Sequence, residues 1–296
     1  MTPFLERIAG APITWGVDGS PGWGHLMHPD RVMSEMVATG LSATELGPDG
    51  FLPTDPSQLV DYLSGYDLQL VGGFVPALLY RPDKIDAVLE YAERAARQLA
   101  AGGSKVIVVG PSSHLDGYDQ PVDLALEEWR TFFANLQRLQ GIAGDIGVAT
   151  AVHPHWGMAV ATAQDTHRLL DSSDAGLCLD TGHLFLAGAD PVEIAKAAGN
   201  RVRHVHLKDL SAEAALAVRS GSVPFRQATI DGMFTPVGSG DVDIEGVIRY
   251  LEGIGYDGWY VLEQDCALVG EPPVGEGPMS DAEASVQFLR DLAATL

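Results

Sequence analysis

Only two cysteines occur in 296 residues, Cys178 and Cys266. A disulfide framework is therefore excluded as the organising principle, and a reducing compartment, the cytoplasm, is the expectation. Basic residues are scarce: Lys plus Arg number 18 against 40 Asp plus Glu, a formal net charge of -22. Such a surface repels phosphate backbones, so nucleic acid is not an expected partner. No apolar run reaches the ~20 residues a membrane span requires. The first residues, Met-Thr-Pro-Phe-Leu-Glu-Arg, lack the basic and apolar regions of a signal peptide. There is no low-complexity segment and no repeat beyond a strand–helix unit.

What is present is a series of short apolar runs, each followed by a helical pattern. Strands are predicted at 11–16, 43–47, 68–76, 104–110, 147–155, 175–181, 202–208 and 258–264. Most are nearly continuous in hydrophobicity, as strands buried on both faces are. Helices are predicted at 29–39, 56–64, 82–101, 122–140, 162–171, 190–198, 244–253 and 280–295. The 82–101 helix is the clearest. Ile85, Val88, Leu89, Ala92, Ala96 and Leu99 form one stripe, and Gly102 suits its stop. Alternating units of this kind imply a parallel sheet. About eight of them in roughly 250–300 residues imply a closed (β/α)8 barrel. The whole chain, 1–296, reads as one barrel domain. The long non-repeating stretch 210–243 reads as a lid, because loops of that length in compact domains are usually functional.

Four of the apolar runs end on metal-ligand residue types. They are His153 in Val-His-Pro-His, Asp180 in Leu-Asp-Thr-Gly-His, His206 in His-Val-His-Leu-Lys-Asp and Glu263 in Val-Leu-Glu-Gln-Asp. The strand ends of a parallel barrel open onto one face, so residues far apart in sequence converge there. Two imidazoles and two carboxylates suit a hard or borderline divalent ion, and the carboxylates cancel its charge. Side chains two apart on a strand share a face. His155 therefore accompanies His153, Cys178 lies below Asp180 as a buried filler, and Asp265 accompanies Glu263. His204 and Lys208 flank His206. His155 and His183 either bind substrate hydroxyls or serve as packing and turn histidines. Lys208 either meets substrate or pairs with a nearby acid such as Asp209. Glu45 ends the second strand as a substrate contact or a salt-bridge partner, and Trp15 offers a wall to a sugar ring or packs in the core. Pro-Val-Gly-Ser-Gly-Asp (236–241) lacks the ending of a phosphate loop. It reads as shaping the lid and leading to a helix capped by Asp243.

Asp-Thr-Gly-His (180–183), His-Val-His-Leu-Lys-Asp (204–209) and the stretch from Gly-Ser-Gly-Asp-Val-Asp (238–243) to Glu-Gln-Asp (263–265) resemble the xylose isomerase-like barrel superfamily. Within it, Glu-Leu-Gly-Pro-Asp-Gly-Phe-Leu-Pro-Thr-Asp-Pro (45–56) and His-Pro-His (153–155) look most like the myo-inosose-2 dehydratases. The resemblance runs from about residue 11 to 290. It implies a metal site on Asp180, His206 and Glu263, with His153 where epimerases of the superfamily carry Glu. That departure disfavours a two-carboxylate epimerisation and permits elimination.

The implied activity is a metal-dependent lyase removing water from 2-keto-myo-inositol through an enolate, with Mn²⁺ or Co²⁺ as the ion and Zn²⁺ or Mg²⁺ as alternatives. Glu263 is the first candidate base, with Glu45 and Lys208 behind it. His155 and His183 are candidates for hydroxyl binding or proton donation. The competing readings are a ketose 3-epimerase or sugar isomerase, a non-catalytic sugar-binding barrel and, last, a nuclease. The implied partner is a small polyol or keto-sugar. Many such barrels pair through their helical layer, which leaves a homodimer or homotetramer open, although the sequence offers no decisive apolar patch.

Overall fold

The computed structural model describes residues 2–296. Its main sheet has nine parallel strands. These are β1 (Ile8–Gly10), β2 (Ala43–Glu45), β3 (Gln69–Gly72), β4 (Phe74–Pro76), β5 (Val106–Gly110), β6 (Ala149–Val152), β7 (Gly176–Asp180), β8 (Val202–Leu207) and, last in the chain, β11 (Tyr260–Leu262). The two remaining strands, β9 (Asp209–Leu210) and β10 (Phe234–Thr235), form a separate antiparallel ladder.

The order in the main sheet is β3-β2-β1-β11-β8-β7-β6-β5-β4. Its two ends, β3 and β4, are consecutive in sequence and separated only by Gly73. The Gly72 carbonyl accepts from Leu46 on one side (2.9 Å), and the Gly73 carbonyl accepts from Val108 on the other (3.0 Å). Residues 69–76 are therefore one interrupted stave that closes the ring, and the architecture is the (β/α)8 barrel read from the sequence.

Helices α1 (Pro29–Ala38), α2 (Pro56–Ser64), α3 (Ile85–Ala101), α4 (Leu126–Ile146), α5 (Ala163–Ser172), α6 (Thr181–Leu186) and α7 (Pro191–Ala198) follow the strands. The chain then adds α8 (Ala212–Arg219), α9 (Phe225–Ile230), α10 (Ile244–Gly253) and α11 (Pro278–Ala293). Several starts carry side-chain caps: Asp55 accepts from Ser57 and Gln58, Asp190 from Val192 and Glu193, and Asp243, as expected, from Gly246. Among the described residues, no helix is long and apolar enough to cross a membrane. At the base of the barrel, Arg7 joins the two ends of the chain. Its guanidinium donates twice to Glu252 (2.6 and 2.8 Å) and to the carbonyls of Tyr256 and Gly258 (both 3.0 Å). A buried guanidinium needs that complete set of acceptors.

The first predicted strand lies in the wrong place. The strand is Ile8–Gly10, and Pro12–Trp15 forms a 3₁₀ turn closed by Gly16 in the left-handed region (φ 76°). Pro12 has no N–H to continue a parallel ladder, which ends the strand early. Trp15 is consequently turned into the core, where its Nε1 donates to Glu35 of α1 (2.9 Å), and it does not line the cavity described below.

The 210–243 stretch has internal structure: α8, α9 and the β9–β10 ladder, which pairs Leu210 with Phe234 and Asp209 with Thr235. Asp209 anchors it. Its carboxylate accepts backbone N–H bonds from Leu210 (2.9 Å), Gly238 (2.9 Å), Gly240 (3.0 Å) and Val242 (3.1 Å). A β-carbon on Gly240 would collide with this carboxylate, so the glycine lets the loop wrap around it. Asp209 therefore belongs to the 236–242 loop and does not pair with Lys208. Replacing it with Ala strands several buried donors at a net cost of about 1 kcal/mol each. Asp209→Ala is expected to lower the unfolding free energy by about 2–4 kcal/mol, read from the urea midpoint at unchanged m-value.

Candidate metal centre

The four ligand-type side chains stand at the ends of four strands that neighbour one another, β6, β7, β8 and β11. His153 follows β6, Asp180 ends β7, His206 lies next to the end of β8, and Glu263 follows β11. Register brings them level: Asp180 pairs with His206, and His206 with Val261. The structure brings all four together. One ligand atom from each lies within 4.8 Å of the others. Asp180 Oδ2 is 3.2 Å from His153 Nε2 and 3.7 Å from His206 Nδ1. His206 Nδ1 also touches Glu263 Oε2.

Neither His206 Nδ1 nor Glu263 Oε2 has a hydrogen-bond partner among the described residues, although both are buried. Either a proton on His206 Nδ1 or a cation can sit between these two touching atoms, since the surrounding carboxylates favour positive charge there against the cost of burial. The donor set fits a divalent ion.

The charges behind the site point the same way. Lys208 is fully buried. Its ammonium lies 2.8 Å from Asp265, 3.1 Å from Glu263 and 3.3 Å from Asp180, and it donates to His183 Nε2 (3.0 Å). Three carboxylates thus share one ammonium, an excess of acidic groups that a divalent cation would offset.

The titration behaviour follows from these contacts. Burial opposes ionisation of Glu263, but His206 and Lys208 outweigh it and hold the carboxyl at about 2. Asp180 is likewise held well below the usual range, with Lys208 and His183 overcoming burial. Asp265 is pushed up to about 7 by burial, with Lys208 opposing and the Glu263 charge adding. Burial would neutralise Lys208, yet Asp180, Asp265 and Glu263 keep it charged. Burial raises the Cys178 thiol to about 11, so it remains the protonated filler below Asp180 that strand parity implied.

A cavity of about 480 Å³ opens above the quartet. Glu45, His153, His155, His206, Glu263 and Asp265 line its deep end, and Phe74, Trp23, Tyr118 and Phe225 wall it with aromatic surface. Asp18 and Asp49 also line it, whereas no Lys or Arg among the described residues does. Phe225 comes from the 210–243 insertion, whose α9 is tied across the mouth. The Phe225 N–H donates to Asp119 (2.6 Å), and Arg226 donates to the Trp23 carbonyl (2.6 Å).

Three expected substrate contacts are relocated by the geometry. Lys208 and His183 sit behind the cavity wall, because the surrounding carboxylates hold the ammonium and the ammonium holds the imidazole. Trp15 is in the core. His155 does line the cavity. Its Nδ1 donates to the Trp156 carbonyl (2.7 Å), which assigns the proton to Nδ1 and leaves Nε2 as an acceptor. Burial and the neighbouring His153 and Lys208 push its pKa down to about 3, so the ring stays neutral. Glu45 also lines the cavity, but His204 and His206 occupy its Oε1 (2.8 and 3.2 Å) and hold it ionised against burial.

Asp265 and His204 were visible in the sequence only as companions of Glu263 and His206. Trp23, Phe74, Tyr118 and Phe225 gave no signal there, since they come from two loops, β4 and α9, and the fold alone assembles them.

Comparison with known proteins places these features in context. The family model described as xylose isomerase-like TIM barrel matches residues 34–292. A relative from Geobacillus kaustophilus (strain HTA426), named inosose dehydratase, is 32% identical over 300 residues, covering 98% of this chain and 94% of that protein. The rhizopine catabolism protein MocC of Rhizobium meliloti is 32% identical over 296 residues, covering 97% of this chain and 89% of its own. Among solved structures, the IOLI protein with a bound zinc atom superposes with a TM-score of 0.71 at 16% identity, covering 98% of each chain.

The convergence of the quartet has a direct consequence. Asp180→Ala is expected to drop bound metal from about one ion per chain to near zero. Elemental analysis of the purified variant checks this, with a thermal melt beside it because the same carboxylate caps α6 at a value of about 1 kcal/mol. Unchanged metal content would place the centre elsewhere.

Proposed function

The chain belongs to the xylose isomerase-like TIM barrel family, and from that premise we propose that it is a metal-dependent dehydratase that eliminates water from 2-keto-myo-inositol (inosose). The observation that carries this reading is the buried meeting of two ligand atoms, His206 Nδ1 and Glu263 Oε2, on the floor of a cavity without Lys or Arg in its lining. His153, Asp180, His206 and Glu263 would hold the ion, with Mn²⁺ or Co²⁺ as the proposed metal and Zn²⁺ compatible with the same donors. When bound, the ion supplies Lewis-acid polarisation of the ketone, which acidifies the adjacent C–H.

The chain's own groups have separable tasks. Glu263 is the proposed proton acceptor. Its Oε2 faces the quartet beside His206 Nδ1, and Oε1, which Lys208 holds at 3.1 Å, is the oxygen left to take the proton. Lys208 orients Glu263, Asp180 and Asp265 from behind and does not touch substrate. His155 offers Nε2 to a ring hydroxyl, and Asp265 lines the same end of the cavity, where a departing hydroxyl needs a polar partner. The aromatic walls exclude water and pack against the C–H faces of a cyclitol. His153 supplies an imidazole where a second opposed carboxylate would be needed to epimerise, which favours elimination.

The lining also selects against charge. Glu45, Glu263, Asp265, Asp18 and Asp49 face the cavity without a Lys or Arg to receive a phosphate. An uncharged polyol is thus favoured over a phosphorylated sugar.

Purified protein loaded with Mn²⁺ or Co²⁺ is expected to convert inosose to a trihydroxycyclohexane dione, followed by the dione absorbance. An equimolar ketose phosphate should leave the rate unchanged. Interconversion of ketohexoses without dione would instead identify an epimerase or isomerase, and polyol binding without any product would identify a sugar-binding barrel.

A further inference from the structure

Glu45 is the acidic residue of the deep cavity that the proposed reaction leaves without a task. It stands where the pairing of β2 with β3 slips: Thr44 pairs with Leu70, but Glu45 pairs with Gly72. A bulge of this kind re-aims a side chain. Here it carries the carboxylate inward, to 4% exposure. Gly72 makes the space. A β-carbon on it would lie 2.8 Å from Glu45 Oε1 and 3.1 Å from His204 Cε1 and Nε2. Two imidazoles then converge on that oxygen, His204 Nε2 at 2.8 Å and His206 Nε2 at 3.2 Å.

An acceptor-only carboxylate between two ring nitrogens requires both to carry hydrogens. The consequence for His206 is specific. With a hydrogen held on Nε2, Nδ1 is the nitrogen available to give its lone pair to an ion, and Nδ1 is the atom that meets Asp180 Oδ2 and Glu263 Oε2. The other tautomer would place a hydrogen where the ion must bind.

We propose that Glu45 is a positioning residue of the metal centre, setting the tautomer and ring orientation of His206, with His204 as the clamp that keeps Glu45 in place. This inference rests on the quartet being a metal site and is independent of inosose being the substrate. Ligating imidazoles whose second nitrogen donates to a carboxylate are held more rigidly and bind metal more tightly, and removal of such a partner typically weakens affinity 10–100-fold. It also removes Glu45 from the list of proton acceptors, because taking a proton from substrate would break the bonds that hold His206.

The test uses full-length protein and Co²⁺ as the probe. Co²⁺ affinity is measured by competition with a chromophoric chelator, and the ligand field is read from the visible Co²⁺ bands. Glu45→Ala is expected to weaken Co²⁺ binding about 10–100-fold and to shift the bands. Glu45→Gln, which keeps an acceptor oxygen, should fall between it and the wild type. His204→Gln should weaken binding less than Glu45→Ala, and it reads the same clamp should Glu45→Ala fail to fold. Unchanged affinity and spectrum in the Glu45 variants would overturn the proposal, most plainly if turnover were lost at the same time, since Glu45 would then act on substrate. A wild-type protein that binds no Co²⁺ overturns it as well. A wild type that binds Co²⁺ tightly, loses it in Glu45→Ala and does not dehydrate inosose supports this proposal while removing the substrate assignment.

Discussion

Three buried carboxylates gathered around one buried ammonium are the constraint on which the rest of this molecule turns. Asp180, Glu263 and Asp265 lie within 3.3 Å of Lys208, which has no exposure to solvent. Isolated in a protein interior, each of these charges would cost several kcal/mol of desolvation. Together they are only partly compensated, and they lie beside the meeting point of His206 Nδ1 and Glu263 Oε2. A barrel places such a cluster where it can be completed from outside, because its strand ends face the cavity mouth rather than the packed interior. The site is thereby built as the complement of a cation, not merely as a collection of polar residues.

Asp180 couples this centre to folding. Its Oδ1 accepts the His183 N–H (2.6 Å) and so caps α6, while its Oδ2 faces His153 and Lys208. The next residue continues the connection across the strands: the Lys208 N–H donates to Thr181 Oγ1 (2.9 Å), and that hydroxyl donates to the Lys208 carbonyl (2.8 Å). Asp-Thr-Gly-His is therefore a single turn that ends β7, starts α6, locks β8 and orients a ligand. A carboxylate fixed from one oxygen has little freedom in the other, which is what preorganisation of a metal site requires.

The barrel was legible in the sequence because buried parallel strands are short and continuously apolar and their helices are striped. The α2 and α10 spans expected from the pattern, 56–64 and 244–253, are those observed. The quartet was legible for a related reason: strand ends are marked by the first polar residue after an apolar run, and barrel closure makes all such ends neighbours. What sequence could not supply was any partner chosen in three dimensions. For Lys208 the sequence offers a substrate contact or an ion pair with a near neighbour such as Asp209, yet its partners are Asp180, Glu263 and Asp265, while Asp209 organises Gly238, Gly240 and Val242. Trp15 was misplaced because Pro12 ends the first strand early. Glu45 reads in the sequence as a substrate contact or a salt-bridge partner, but its place against His204 and His206 depends on a bulge and on Gly72, neither of which leaves a periodic signature.

The sign of the cavity follows from the same constraint. A chain of net charge -22 that also lines its cavity with carboxylates presents a negative potential to any approaching solute. Anionic sugars are repelled over the whole approach, whereas an uncharged cyclitol meets no such barrier and is oriented only at the deep end. There, an ion held by His153, Asp180, His206 and Glu263 would be the point that attracts electron density, while His155 and the aromatic walls would meet the rest of the ring. A single attractive point opposite apolar faces fixes both position and orientation of a ring that carries a ketone among hydroxyls. Selectivity for the ketone thus needs no dedicated pocket for each hydroxyl, because the ketone is the oxygen whose polarisation leads to chemistry.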